Sequence, residues 1–130
     1  MMNILLDTCT FLWIISGDEK LSEHARSVFS QQQNIVYLSA ASVWEITVKY
    51  GLNKLPLPEN PFSYIPKQRE AHKIEKLPIT EEASLYLTKL PSIHKDPFDR
   101  ILICQSIVTG STILTPDPLI HQYPVNALWE

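Results

Sequence analysis

The sequence contains few cysteines, no excess of basic residues and no long apolar run. Its two cysteines, Cys9 and Cys104, occur in no metal-binding spacing and offer no disulfide framework, which is typical of a reducing compartment. The formal net charge of -3 excludes a protein that coats nucleic acid through a broad basic surface, because such binding requires many cationic side chains. Any contact with nucleic acid must therefore be local.

The chain also lacks the features of a membrane or exported protein. No apolar segment approaches the roughly 20 residues of a membrane-spanning helix. The amino terminus, MMNILLDT, carries an acid early and has neither the basic segment nor the cleavage site of a secretory signal. We therefore expect a cytoplasmic protein with no membrane partner. The length of 130 residues predicts a single domain over residues 1–130.

Short apolar segments alternate with longer segments that have helical periodicity. Helix boundaries are marked by candidate N-caps at Ser22, Thr80 and Asp96 and by candidate stops at Gly17 and Gly110. This alternation predicts an α/β fold, a mostly parallel sheet covered by helices on both faces, with a ligand crevice at the carboxyl ends of the strands. The predicted strands are NILLD at 3–7, IVYLS at 35–39, IEKLPI at 74–79, STILT at 111–115 and VNALW at 125–129.

Four acidic residues, Asp7, Glu45, Asp99 and Asp117, lie where predicted strands give way to helices or loops. In a parallel sheet these positions share one edge, so the four carboxylates are expected to lie close together. Carboxylates that crowd together resist ionisation, and proteins usually offset their repulsion with a bound divalent cation. The pattern therefore favours a metal-dependent hydrolase site.

Asp7 and Glu45 also have purely structural interpretations. Asp7 can cap a helix that begins at Thr8. Glu45 stands three residues after Ser42, the spacing of a capping box, and four before Lys49, the spacing of a helical ion pair. The apolar neighbours of Glu45 weigh against these interpretations, because a carboxylate among apolar residues is costly unless something pairs with it.

The later acids have structural interpretations as well. Asp96 and Asp99 both suit the electropositive first turn of a helix, and Asp96 is best read as its N-cap. Asp117, within TPDP, is a competent turn residue. One shared site explains four acids on one edge better than four separate coincidences do.

Five segments carry a resemblance to a known family: LLDTCTFLW, SAASVWEI, HKDPFDRILI, ILTPD and the closing YPVNALW. They resemble the PIN-domain nucleases, specifically the VapC-type toxins of type II toxin–antitoxin systems, in the HxDPFDR subgroup. The similarity extends from Ile4 to Trp129. It implies a PIN-like fold with five parallel strands in the order 3-2-1-4-5. It also implies a set of catalytic acids, which correspond to Asp7, Glu45, Asp99 and Asp117.

The resemblance assigns supporting roles to further residues. Thr115 matches the hydroxyl residue of the family, and Asp96 matches an extra acid of the subgroup. Arg100 either contacts a substrate phosphate or clamps Asp96 and Asp7, and we favour the structural role. We interpret His94 as an incidental loop residue rather than a general base.

The implied cofactor is Mg²⁺ or Mn²⁺, since these hard ions prefer oxygen ligands. Asp7, Asp99 and Asp117 would hold it, with Glu45 facing them. The sequence departs from the family at Cys9, where Asn or His is usual, and this affects the expected hydrogen bonding near Asp7.

The resemblance implies an endoribonuclease that cuts RNA and leaves a 5′-phosphate. The expected partners are a second copy of the chain, in a homodimer, and a small antitoxin protein whose tail covers the acidic cleft, with an Arg pairing to Asp99 or Asp117.

The alternative is a non-catalytic PIN-like module that binds RNA or protein. A phosphatase that forms an aspartyl-phosphate is disfavoured because Cys9 occupies the position of its second acid. A receiver domain is disfavoured because no lysine follows Arg100.

Overall fold

The computed structural model describes residues 1–130 and contains one five-stranded parallel sheet. The order of the strands is β3-β2-β1-β4-β5, which confirms the predicted order 3-2-1-4-5. All strands except the second are shorter than predicted. The third, for example, ends at Leu77, before Pro78, which has no N–H to offer a strand partner. The strands are β1 (Asn3–Leu6), β2 (Ile35–Ser39), β3 (Glu75–Leu77), β4 (Thr112–Leu114) and β5 (Ala127–Leu128).

Six helices connect and cover the strands. They are α1 (Thr8–Ser16), α2 (Glu23–Ser30), α3 (Ala40–Gly51), α4 (Pro61–Ala71), α5 (Glu81–Tyr86) and α6 (Pro97–Thr109). The predicted N-caps Ser22, Thr80 and Asp96 all accept hydrogen bonds from the first turns of their helices. Gly17 and Gly110 both adopt the left-handed conformation that ends a helix, with φ of 68° and 72°. None of the helices has both the length and the apolar character needed to span a bilayer.

Helices α3 and α4 both begin after a residue that caps them. The N-cap of α3 is Ser39 rather than Ser42, so the capping-box interpretation of Glu45 fails. Helix α4 begins at Pro61, because Asn60 caps it and Pro61 fits its first position. Pro66 lies inside this helix on its exposed side, where the loss of one backbone hydrogen bond is tolerated.

The sheet separates two apolar layers. Side chains of successive strand residues point to opposite faces. Ile4 and Leu6 of β1 accordingly pack with residues of α1, α2, α3 and α4, whereas Leu5 packs with residues of α5 and α6. Helices therefore cover both faces, as predicted, and the carboxyl ends of the strands remain free to form a site.

The central strands β1 and β4 bring their carboxyl ends side by side. Leu6 is in register with Leu114, and the Asp7 N–H donates to the Leu114 carbonyl at 3.2 Å. The next residues on the two strands, Asp7 and Thr115, therefore meet at one edge of the sheet. This edge supports the candidate site.

Candidate metal centre

Asp7 follows β1 and is almost fully buried, with 5% of its surface exposed. Its Oδ1 accepts a hydrogen bond from the Thr8 N–H at 2.7 Å, so Asp7 is the N-cap of α1. Its Oδ2 accepts a bond from the Thr115 hydroxyl at 2.6 Å. Capping thus accounts for one oxygen only, and the position of Thr115 agrees with its expected supporting role.

Glu45 projects from α3 and is 6% exposed. Its Oε2 accepts a bond from Lys49 Nζ at 2.5 Å, which confirms the ion pair one turn along the helix. Its Oε1 is buried and has no hydrogen-bond partner. A buried carboxylate oxygen without a partner is costly, so this atom indicates a missing cationic or hydrogen-bonding ligand.

Asp96 and Asp99 occupy the start of α6. Asp96 is its N-cap, as predicted, and its Oδ1 accepts bonds from the N–H groups of Phe98 and Asp99 at 2.8 and 3.3 Å. Asp99 is one of the first-turn residues but makes no capping bond of its own. Its side chain is therefore free to take part in a site.

Asp117 follows β4 in a turn. Its Oδ1 accepts a bond from the Leu119 N–H at 2.9 Å, and the Asp117 N–H donates to the Thr115 hydroxyl at 3.0 Å. The turn interpretation is thus confirmed for Oδ1. The second oxygen, Oδ2, faces the ring of His94 at 2.8 Å.

The four acids predicted to share a site do line one cavity of about 340 Å³. Asp96 lines the same cavity, together with Lys49 and Cys9. Lys49 is the only basic residue among the lining residues, and it is already paired with Glu45. The cavity therefore carries an excess of negative charge.

Burial and this excess charge together raise the pKa values of two acids. Burial raises the pKa of Asp7 above its ordinary value of 3.8, and the charges of Asp117 and Glu45 raise it further, against hydrogen bonds from Thr115 and Thr8. Burial, assisted by the charge of Asp7, raises the pKa of Asp99 to about 7. Without a cation, Asp7 and Asp99 therefore ionise less readily than ordinary carboxyl groups.

His94 contacts two of the predicted site acids, which our sequence interpretation did not anticipate. Its Nε2 lies 2.8 Å from Asp117 Oδ2 and 3.1 Å from Asp99 Oδ2, and only 11% of its side chain is exposed. The interpretation as an incidental loop residue is therefore wrong. The available signal was the spacing of His94, Asp96 and Asp99, which places a histidine just before a capped helix that carries a site acid.

Arg100 does not clamp Asp96 or Asp7. Its Nη1 instead donates to the backbone carbonyls of Pro91 and His94, at 3.0 and 3.2 Å. The favoured clamp of Asp96 and Asp7 is thus wrong, because the guanidinium of Arg100 binds the loop before α6 instead.

Cys9 contacts the site weakly. Its Sγ lies 3.7 Å from Asp7 Oδ2, the oxygen that already receives the short Thr115 bond. Burial, with the nearby charge of Asp7, raises the pKa of the Cys9 thiol to about 12. The thiol therefore stays protonated, and the departure from the usual residue leaves Asp7 well held.

The residues of this cavity fit a divalent cation. Carboxylate oxygens are the ligands that Mg²⁺ and Mn²⁺ prefer, and a cation would both neutralise the cavity and provide a partner for Glu45 Oε1. Ligand atoms of His94, Asp99 and Asp117 lie within 4.8 Å of one another, close enough for groups to share one ion. This group includes Asp99 and Asp117 but not Asp7, the third oxygen ligand expected from the sequence.

Solved structures of similar fold include two of VapBC proteins. The structure superimposes on VapBC2 from Rickettsia felis, bound to a DNA fragment from its promoter, with a TM-score of 0.75 at 15% identity, covering 99% of this chain and 100% of that one. It also superimposes on DNA-bound VapBC from Salmonella typhimurium, with a TM-score of 0.69 at 19% identity, covering 98% of both chains. At these identities the likeness establishes the fold alone.

Sequence comparison gives the family. Ribonuclease VapC16 of Mycobacterium tuberculosis is 49% identical over 41 residues, which are 32% of this chain and 29% of that protein. The match therefore spans less than a third of the length of this curated relative. The model of the PIN domain matches residues 4–126, nearly the whole chain. The chain belongs to the PIN-domain family.

Proposed function

We propose that the protein is a Mg²⁺- or Mn²⁺-dependent endoribonuclease that hydrolyses RNA phosphodiester bonds at the acidic cavity. One observation carries the proposal: Glu45 Oε1 is buried and unpartnered in a cavity that four further carboxylates line. Helix capping and turn formation by the acids do not account for this atom. Membership of the PIN-domain family supports a nuclease, and the local similarity to a ribonuclease supports RNA as the substrate.

The side chains of the cavity have different roles in this proposal. Asp7, Asp99 and Asp117 would hold the cation, and Glu45 would face it from α3. Thr115 fixes Asp7 through its 2.6 Å hydrogen bond, and so presents a carboxylate of set orientation. When bound, the divalent cation supplies Lewis acidity, which activates water for attack and neutralises the charge that builds on the phosphate oxygens.

Lys49 and Glu45 have a further part in this arrangement. Lys49 neutralises Oε2 of Glu45, so that the side chain brings less uncompensated charge into the cavity than an isolated carboxylate would. Lys49 lines the cavity, and 47% of its side chain is accessible to solvent. It is placed to attract the phosphate backbone of an approaching strand.

RNA cleavage by the purified protein tests the proposal. With millimolar Mg²⁺ or Mn²⁺ the parent should cut RNA into products with 5′-phosphate ends, and EDTA should stop the reaction. Asp7→Asn should be inactive. Asp18→Asn, in the turn after α1, is the matched control and should retain activity, because the replacement keeps the oxygen that accepts from Lys20. Full cleavage in EDTA, or cleavage by Asp7→Asn, would refute the metal mechanism. Inactivity with RNA binding intact would favour a non-catalytic module.

We further propose that the protein acts in the cytoplasm as the toxin of a toxin–antitoxin pair, as a homodimer. Three similar structures, from Rickettsia felis, Salmonella typhimurium and Haemophilus influenzae, are of VapBC proteins, which supports a small antitoxin as the partner. An Arg of the antitoxin tail is suited to the acidic cavity, where it would pair with Asp99 or Asp117.

Growth assays test the toxin role separately from catalysis. Expression of the parent alone should suppress growth, Asp7→Asn should not, and co-expression of the protein from the adjacent reading frame should restore growth. If expression does not affect growth although the purified protein cuts RNA well in vitro, the toxin role is contradicted and a housekeeping nuclease is favoured.

Size-exclusion chromatography with light scattering measures the oligomeric state. A monomer at all concentrations would contradict the homodimer.

A further inference from the structure

We infer that His94 is a positioning residue: its Nε2–H holds Asp99 and Asp117 in place for the cation, and the ring itself is not a ligand. This inference rests on the proposed function, since it concerns the same cavity. Distances alone do not distinguish a hydrogen-bond donor from a metal ligand here, because the ring nitrogen and the two carboxylate oxygens are also close enough to share an ion.

The hydrogen bonds of the ring define its tautomer. The backbone N–H of Asp96 donates to His94 Nδ1 at 3.2 Å, so Nδ1 must present a lone pair. A neutral imidazole carries its single proton on the other nitrogen. Nε2 therefore bears the hydrogen, and it points at Asp117 Oδ2, 2.8 Å away, and Asp99 Oδ2, 3.1 Å away.

A role as ligand conflicts with this arrangement. To coordinate a cation through Nε2, the ring would have to expose a lone pair there and carry its proton on Nδ1. That proton would then face the Asp96 N–H, and two donors would oppose each other with no acceptor between them. The N–H of Asp96 cannot turn away, because Asp96 is also the N-cap of α6.

The backbone of the loop holds the ring in its place. The His94 N–H donates to the Tyr123 hydroxyl at 2.7 Å, and the His94 carbonyl accepts from Arg100 Nη1 at 3.2 Å. The Tyr123 hydroxyl in turn donates to the carbonyl of Pro91, at 2.8 Å, and Arg100 donates to the same carbonyl. The loop from Pro91 to His94 is thus anchored at both ends by hydrogen bonds.

The two carboxylates keep donor atoms for the cation. Asp99 makes its side-chain contact through Oδ2 alone, which leaves Oδ1 without a protein partner. Asp117 uses Oδ1 for the Leu119 N–H and Oδ2 for His94, but each carboxylate oxygen has a second lone pair. The Nε2–H therefore fixes the orientation of both side chains and leaves coordination open.

Nitrogen-15 NMR of the histidine rings tests the tautomer directly. The spectrum of the full-length protein should show His94 with a protonated Nε2 and an unprotonated Nδ1, both in EDTA and with saturating Mg²⁺ or the diamagnetic Zn²⁺. The His94 signals are identified by their loss in His94→Gln. A ring whose proton sits on Nδ1 in the cation-loaded protein would overturn the inference.

Cation affinities of three variants provide the second test. His94→Ala should weaken the binding of Mg²⁺ and of Mn²⁺ by the same factor, about 10–100-fold, as loss of a group that orients a ligand does. His94→Gln retains an N–H donor near the position of Nε2 and should lose less than about tenfold. His72→Gln, at the end of α4, is the matched control and should bind like the parent.

Each outcome of the titration is decisive. If His94→Gln binds as weakly as His94→Ala, or if Mn²⁺ affinity falls far more than Mg²⁺ affinity, the imidazole is a ligand and the inference is wrong, because nitrogen donors favour Mn²⁺ over Mg²⁺. If the parent binds neither ion, the proposed function fails as well, and the affinity of the parent distinguishes the two failures.

Discussion

Asp99→Asn should make the cation-free protein more stable at pH 8, although it removes a carboxylate from the first turn of a helix. The pKa of Asp99 is raised from 3.8 to about 7, and this difference corresponds to about 4 kcal/mol of unfavourable ionisation in the folded state. Solvent reaches 16% of the side chain and screens part of this energy. Losing the favourable interaction with the helix dipole offsets about 0.3–1 kcal/mol. We therefore expect a net gain of about 2 kcal/mol.

The raised pKa of Asp99 also determines how the stability of the folded protein changes with pH. A carboxyl with a raised pKa in the folded state binds its proton more tightly there than in the unfolded chain. The stability of the parent should therefore fall as pH rises from about 4 to about 7, where Asp99 ionises in the folded protein, and then level off for this group. The advantage of Asp99→Asn should be present at pH 8 and absent at pH 4.

Urea unfolding in EDTA at pH 4 and pH 8 measures both quantities, with Asp18→Asn as the control. Adding Mg²⁺ should then stabilise the parent and Asp18→Asn but not Asp99→Asn, because a ligand that binds only the folded state raises its apparent stability. The reasoning would be refuted if Asp99→Asn were less stable at both pH values and still responded fully to Mg²⁺. Asp99 would then be a helix-terminal residue and no part of the site.

Three further changes test the surroundings of the cation site. Thr115→Val removes the 2.6 Å hydrogen bond to Asp7 and should lower the free energy of unfolding by about 1–3 kcal/mol, measured by urea unfolding. It should also weaken cation binding, measured by calorimetry. An unchanged cation affinity would contradict the role of Thr115. Lys49→Met leaves the buried Glu45 unpaired and should destabilise the cation-free protein by about 1–3 kcal/mol. The loss of stability should be smaller when Mg²⁺ is bound. Equal destabilisation with and without Mg²⁺ would argue against cation binding near Glu45. The thiol pKa of Cys9 is raised to about 12, so Cys9 should react slowly with iodoacetamide at pH 8 until the protein unfolds. Rapid alkylation of the folded protein, detected by mass spectrometry, would contradict the raised pKa.

The features predicted correctly from the sequence are those that short-range patterns determine. The alternation of apolar segments with capped helices is sufficient to place β1, β2 and β4, and parallel strands necessarily gather their carboxyl ends at one edge. This edge explains why Asp7, Glu45, Asp99 and Asp117 line one cavity.

The features that were missed depend on contacts between distant parts of the chain. His94 lies in a loop without periodicity, and its position is determined by Tyr123, 29 residues further along the chain, through a hydrogen bond that no local pattern announces. Arg100 was expected to meet acids because of its charge, but the loop carbonyls of Pro91 and His94 lie closer to its guanidinium. The cap of α3 was ambiguous because Ser39 and Ser42 both suit the start of the helix.

Locating the cation by anomalous scattering tests the central claim most directly. Crystals soaked in Mn²⁺ should show an anomalous peak inside the acidic cavity, coordinated by carboxylate oxygens of Asp7, Asp99 and Asp117, and no peak there in crystals of Asp7→Asn. A preparation that cuts RNA but shows no Mn²⁺ in this cavity, or shows it only elsewhere, would contradict the account.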